Sequence, residues 1–223
     1  LTPPNSGSTP SLLWDLDGTL LDTYPAIDGA LQDALAALGR PTELAAIVPL
    51  TRVTLGHAIQ TLAARLGLQE DALWQAYGQA EARRSGQFAP PMPYAREVMT
   101  EVRARSALNL VVTHRDREGA IARLQAAGLW PLVDDLISVG GGYARKPDPA
   151  MFLAALARHG LESAACLAVG DRELDIRAAH AAGIRAALLV TPGANLAVDA
   201  EYVLPDLGAL LGVLDRNPPA SPA

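Results

Sequence analysis

The sequence predicts an α/β protein: a Rossmann-like parallel sheet with helices on both faces, plus a small all-helical cap domain. Three observations predict it. From residue 95 onward, short apolar runs alternate with stretches of helical spacing, the pattern of repeated βα units. Between residues 22 and 90 the spacing is helical throughout, so a separate bundle follows the first strand. Acids, a hydroxyl and a lysine recur where apolar runs end, the edge at which open parallel sheets bind ligands. The expected division is an α/β core of residues 1–21 and 91–223, and a helical cap of residues 22–90.

Ser11-Leu12-Leu13-Trp14 is a short apolar run and reads as a buried strand. It delivers Asp15-Leu16-Asp17-Gly18-Thr19. Side chains at i and i+2 of an extended segment point the same way, so Asp15 and Asp17 face one pocket while Leu16 turns to the core. Gly18 permits a turn that a Cβ would hinder. Two like charges this close call for a cation or a shared proton, and Mg²⁺ is the simplest cation. An ordinary Asp-Gly turn with a chance acid beside it is the alternative.

The cap pattern comes next. Residues 26–38 carry Ile27, Ala30, Leu31, Ala34, Leu35 and Leu38 on one helical face, closed by Gly39. Residues 43–48 form a further short helix, and residues 55–66 and 71–84 repeat the spacing. Ala89-Pro90-Pro91-Met92-Pro93 cannot continue a helix. The joints to the core are therefore residues 20–24 and 87–93, which suits a lid. In the polar stretch Thr51-Arg52-Val53-Thr54-Leu55-Gly56-His57, Arg52 or His57 is placed to reach an anionic substrate, Arg52 being the expected reader, against a solvated loop as the alternative.

The core then alternates. Residues 96–105, 117–127, 150–159, 173–182 and 207–214 are expected helices. Residues 108–113, 135–139, 164–169, 185–190 and 201–204 are expected strands. Gly128-Leu129, Gly160-Leu161 and Gly183-Ile184 mark left-handed caps with their hydrophobic contact, a folding feature without chemistry.

Composition bounds the function. The 223 residues allow one large or two small domains, and half are apolar, so a folded core is expected. The net charge of −6 argues against a nucleic-acid groove. Cys166 stands alone in an apolar run, so no disulfide framework exists and a buried thiol is expected. No run approaches the roughly 18–20 apolar residues of a membrane span. Residues 1–8 are a polar lead-in without a signal-peptide core, residues 217–223 a Pro-rich tail, and the expected location is the cytoplasm.

The strand ends supply further candidates. Thr113-His114-Arg115 follows an apolar run, and a hydroxyl with backbone N–H groups before a helix suits a phosphate oxygen. A helix cap is the alternative. Lys146 sits in the Pro-bounded loop Arg145-Lys146-Pro147-Asp148-Pro149, where it neutralises a bound phosphate or is solvated in a turn. Asp171 ends another run, and Asp175 lies four residues on, one helical turn away. Acids at a helix start also have a structural reason. Gly140-Gly141-Gly142 lacks the ending of a phosphate loop and reads as a connection. His159 and His180 have no partner at metal-ligand spacing, and Trp14, Trp74 and Trp130 read as packing residues.

Taken together, Asp15-x-Asp17-Gly18-Thr19, Thr113, Lys146-Pro147 and Gly170-Asp171-x-x-x-Asp175 resemble the four motifs of the haloacid dehalogenase-like hydrolase superfamily, in order, across residues 12–214. Within it the chain is similar to the phosphoglycolate phosphatase-like and β-phosphoglucomutase-like branch, with a helical cap after the first motif. Many relatives carry Ser-Asn where this chain has Thr113-His114; the hydroxyl is kept and the histidine is a departure. The resemblance implies a Mg²⁺-dependent phosphatase acting on a small phosphorylated metabolite, as a monomer or homodimer, with no nucleic-acid or membrane partner. Asp15 would be the nucleophile and Asp17 the general acid–base. Mg²⁺ would sit on Asp15, the Asp17 carbonyl and Asp171, with Asp175 behind them holding Lys146 or a metal-bound water. Thr113, His114 and Lys146 would bind the phosphoryl oxygens. Asp17 speaks against a dehalogenase, and the absence of lysine from residues 20–93 against a phosphonatase. A phosphomutase, which needs a cap that holds a second phosphate, and a non-catalytic phosphate-sensing module are the alternatives.

Overall fold

Among the described residues six strands form one wholly parallel sheet: β1 (Ser11–Trp14), β2 (Asn109–Thr113), β3 (Asp135–Ser138), β4 (Cys166–Gly170), β5 (Arg185–Leu189) and β6 (Tyr202–Leu204). The computed structural model describes residues 9–84, 89–192 and 197–215. The expected lead-in of residues 1–8, the tail of residues 217–223, and Gln87 and Phe88 of the second joint lie outside the described residues. The strand order is β3-β2-β1-β4-β5-β6, so β1 is central and the winding reverses between β1 and β4. That reversal opens a crevice at the carboxyl ends of the two strands. All residues of β1, β2 and β4 are buried, as expected of strands covered on both faces.

The chain divides into two compact units. One holds Leu1–Leu21, Pro91–Val190 and Val198–Ala223; the other holds Asp22–Pro90 and Thr191–Ala197. The sheet unit carries α5 (Ala95–Ala104), α6 (Arg117–Ala126), α7 (Ala150–His159), α8 (Glu173–Ala181) and α9 (Ala209–Leu214). The first, second, third and fourth helices, α1 (Tyr24–Ala37), α2 (Leu44–Thr51), α3 (Leu55–Leu66) and α4 (Glu70–Arg84), make the helical unit. Their apolar faces meet in one core that includes Leu31, Leu35, Ile47, Ile59, Leu62 and Leu73. Thr191 and Pro192 follow β5, yet they group with the helical unit, where the Pro192 carbonyl accepts from Arg52 Nε at 3.3 Å.

Differences from the expected boundaries have local causes. α1 starts two residues early because Pro25 suits the first helical turn. α2 runs through Pro49, which forfeits one N–H without ending the helix. The strand expected over 164–169 begins at Cys166, since residues 163–165 form a 3₁₀ turn. Leu129, Leu161 and Ile184 donate back to Leu124, Leu156 and Ala179 at 2.8, 3.0 and 2.9 Å, as the Gly-apolar caps predict. Trp14 is fully buried and donates to Asn109 Oδ1 at 3.0 Å. Among the described residues no helix is long and apolar enough to cross a membrane.

Candidate active site

β1 ends by handing its backbone to the ladder: Asp15 N donates to the Val169 carbonyl at 2.9 Å, beside β4. Leu16 is fully buried, as the alternation requires. The chain then closes on itself, with Leu20 and Leu21 N–H on the Leu16 carbonyl at 3.0 and 2.9 Å. Gly18 takes φ 81° within that turn, where a side chain would be strained. The turn aims Thr19 Oγ1 at Asp171 Oδ1, 3.0 Å away, so the first and last motifs touch. At the end of β4, a Cβ on Gly170 would collide with Asp175 Cβ, so glycine is what lets Asp175 come in.

Lys146 is the chain's only lysine. Its side chain is fully buried, which excludes the solvated turn. Its ammonium donates to Asp15 Oδ1 at 2.6 Å and to the Val112 carbonyl at 3.1 Å, and pairs as an ion with Asp175 Oδ1 at 2.5 Å. Arg172 adds a second cation, Nη2 lying 3.4 Å from Asp15 Oδ2, while its backbone N–H donates to Asp175 Oδ2 at 3.2 Å.

The electrostatics set the two acids apart. Burial pushes the Asp15 carboxyl upward, but Lys146 and Arg172 outweigh it and hold Asp15 below the usual carboxylate range. Burial also dominates at Asp175 and, with repulsion from Asp15, leaves its carboxyl raised despite Lys146. Lys146 itself would be lowered by burial, yet Asp15 and Asp175 raise it, so it stays an ammonium. An ionised carboxylate beside a fixed cation is the state a nucleophile needs.

The second carboxylate of the first motif goes elsewhere. Asp17 Oδ2 pairs with Arg115 Nε at 2.6 Å, while Oδ1 is buried with no partner among the described residues. A buried acceptor without a donor is costly unless something brings a proton to it. Thr113 is buried at the end of β2, and its Oγ1 accepts from Arg115 N–H at 3.2 Å, leaving its own proton to donate. His114 Nε2 accepts the Lys146 backbone N–H at 2.8 Å, so this nitrogen cannot also donate to a phosphate. Burial, then Lys146, lowers the imidazole to about 3, so it is neutral.

Carboxylate oxygens of Asp15, Asp171 and Asp175 lie within 4.8 Å of one another, all buried. Opposite ligands of one Mg²⁺ stand about 4.2 Å apart, twice a bond of about 2.1 Å, so a small contraction would seat this ion. Three hard oxygen donors fit such a cation. The Asp17 carboxylate is not part of this group; Asp175 is, besides holding Lys146.

Arg52, expected to read a substrate from a polar loop, is buried and committed inside the helical unit. Nη1 and Nη2 reach Asp28 Oδ1 and Oδ2 at 3.3 and 3.1 Å, Nη1 also donates to Thr51 Oγ1 at 2.9 Å, and the guanidinium lies 3.7 Å over the Tyr24 ring. A charge buried there is stable only with these partners. Sequence reasoning missed Arg115 and Arg172 as site residues. Their signal is a basic residue placed within two positions of a strand-end motif residue.

A family model describing a haloacid dehalogenase-like hydrolase matches residues 11–183. A protein of Dickeya dadantii named probable phosphatase IndB is 31% identical over 192 residues, covering 82% of this chain and 82% of that protein. A phosphoglycolate phosphatase of Cereibacter sphaeroides is 33% identical over 185 residues, covering 80% of this chain and 84% of that enzyme. Among solved structures, a predicted phosphoglycolate phosphatase from Haemophilus somnus 129PT aligns with a TM-score of 0.81 at 20% identity, over 95% of this chain and 99% of that one, a likeness of fold.

Proposed function

The chain belongs to the haloacid dehalogenase-like hydrolases and is a phosphatase, and from that premise we propose that it hydrolyses a small phosphoglycolate-like monoester through a phosphoryl group carried on Asp15. The observation that carries this reading is the buried Asp15–Lys146–Asp175 network at the strand ends, beside an Asp17 oxygen without a hydrogen-bond partner among the described residues. Asp15 attacks phosphorus as the bond to the leaving oxygen breaks, and Asp17 Oδ1 gives that oxygen its proton. Asp17, now a base, takes a proton from water, whose oxygen attacks phosphorus and frees Asp15. Lys146 exchanges its bond to Asp15 for the phosphoryl oxygens, and Thr113 donates its hydroxyl proton to them. Mg²⁺, held by Asp15, Asp171 and the Asp17 carbonyl, would offset the charge of the phosphate when bound. Asp175 keeps Lys146 in place from behind. The substrate class rests on the printed names of the relatives.

A panel of phosphorylated metabolites, with phosphate release as readout, tests the proposal. Turnover should require Mg²⁺, stop on chelation and favour small monoesters. Undiminished turnover in excess chelator would remove the metal assignment. Failure to release phosphate from any of them would overturn the function.

A further inference from the structure

The β2 loop and the Lys146 loop are latched by two hydrogen bonds, both donated by the Lys146 loop to His114. The Lys146 backbone N–H donates to His114 Nε2 at 2.8 Å, and Arg145 Nη2 donates to the His114 carbonyl at 3.1 Å. Lys146 is then held at both ends, since its Nζ also donates to the Val112 carbonyl of the same strand, one residue before Thr113. We propose that His114 is a positioning residue that sets Lys146 through its main chain, and does so as the neutral tautomer with the proton on Nδ1.

The argument is geometric. A backbone N–H only donates, so the ring nitrogen facing it must carry a lone pair. A protonated ring would present a second donor to that N–H and break the latch. Burial beside Lys146 keeps the ring neutral, which agrees with this assignment. The ammonium end of Lys146 bridges Asp15 and Asp175, so a small shift of its main chain is felt directly at the nucleophile. Loss of about one hydrogen bond of positioning corresponds to roughly a tenfold loss in rate. The proposal rests on the phosphatase reading for its kinetic readout and on the ring alone for its spectroscopic one.

The test compares His114→Leu with His114→Gln. Leucine keeps much of the volume and removes the acceptor; glutamine returns an acceptor oxygen at similar reach. With an aryl phosphate and Mg²⁺, His114→Leu should lower kcat about tenfold with little change in KM or in inhibition by inorganic phosphate, and His114→Gln should restore most of it. In wild type, imidazole ¹⁵N NMR at neutral pH should place the proton on Nδ1. A proton on Nε2, or a charged ring, overturns the proposal whatever the activity. So does His114→Leu at wild-type kcat, or His114→Gln no better than His114→Leu. Weakened phosphate inhibition at unchanged kcat would make His114 a direct phosphate ligand and also overturn it. An inactive wild type would instead count against the phosphatase reading, and the tautomer would still decide the latch.

Discussion

Removing Arg52 should loosen the helical unit and leave the chemistry nearly alone. The guanidinium makes a two-pronged pair with Asp28, a bond to Thr51 and one to the Pro192 carbonyl, and it lies over Tyr24. The side chains of Arg52 and Asp28 are 9% and 7% exposed, so solvent screening relieves little of the loss. Breaking a buried pair by deleting one partner costs about 3–5 kcal/mol. Thr51 Oγ1 still donates to Asp28 Oδ1 at 2.6 Å after the change, which favours the low end, about 3 kcal/mol. At 1.4 kcal/mol per factor of ten, amide exchange in α1 to α3 of Arg52→Ala should accelerate about 10²-fold, with the sheet strands changed far less. Peptide-resolved hydrogen exchange reads this directly. The double change Asp28→Asn with Arg52→Met should recover part of the protection, because no charge is then left buried. Protection within threefold of wild type, together with a selective loss of kcat/KM on anionic substrates, would refute the reasoning and restore Arg52 as a substrate reader.

Three further outcomes are expected. Asp15→Asn should abolish turnover and labelling by phosphate mimics that bond to a carboxylate, while Asp17→Asn should still bind such mimics and turn over roughly 10²-fold more slowly; near-normal activity of Asp15→Asn would exclude the covalent route. Partial burial works against ionised Glu201, but the Ala186 N–H and His180 hold its carboxyl below the usual glutamate range. Its contribution is therefore present above the unfolded value of about 4.3 and lost as pH falls through the lower folded value, so urea midpoints of Glu201→Gln should fall less steeply in acid than those of wild type. Burial pushes the Cys166 thiol up to about 12, so iodoacetamide should label it in urea and leave it untouched in the native protein.

The motifs were legible because each strand that carries one is apolar until its last turn and then abruptly polar. Asp15, Thr113 and Asp171 stand at such edges, and the sheet order brings β2, β1 and β4 side by side. The partners of these residues were not legible. Arg115 and Arg172 look like surface cations in a linear chain, and only strand pairing turns one toward Asp17 and the other toward Asp15. The burial of Arg52 was not legible for the opposite reason. A charge in a polar stretch reads as solvated, and nothing in local spacing announces that Asp28, 24 residues away, will bury it. The grouping of Thr191 with the helical unit is likewise invisible to composition, since it depends on where β5 releases the chain.

The buried ammonium at the strand ends has a practical corollary. Within these 223 residues Lys146 is the sole side-chain amine, and its side chain is 0% exposed. Acetylation, carbamylation or amine-directed cross-linking of a side chain therefore has no ordinary surface target on the folded molecule. A reagent can reach Nζ only when the carboxylates release it, and reacts only with the deprotonated amine that those same carboxylates disfavour. The slow acylation of one lysine thus becomes a clock for the opening of the site, read from the mass increment of the one peptide that carries Lys146.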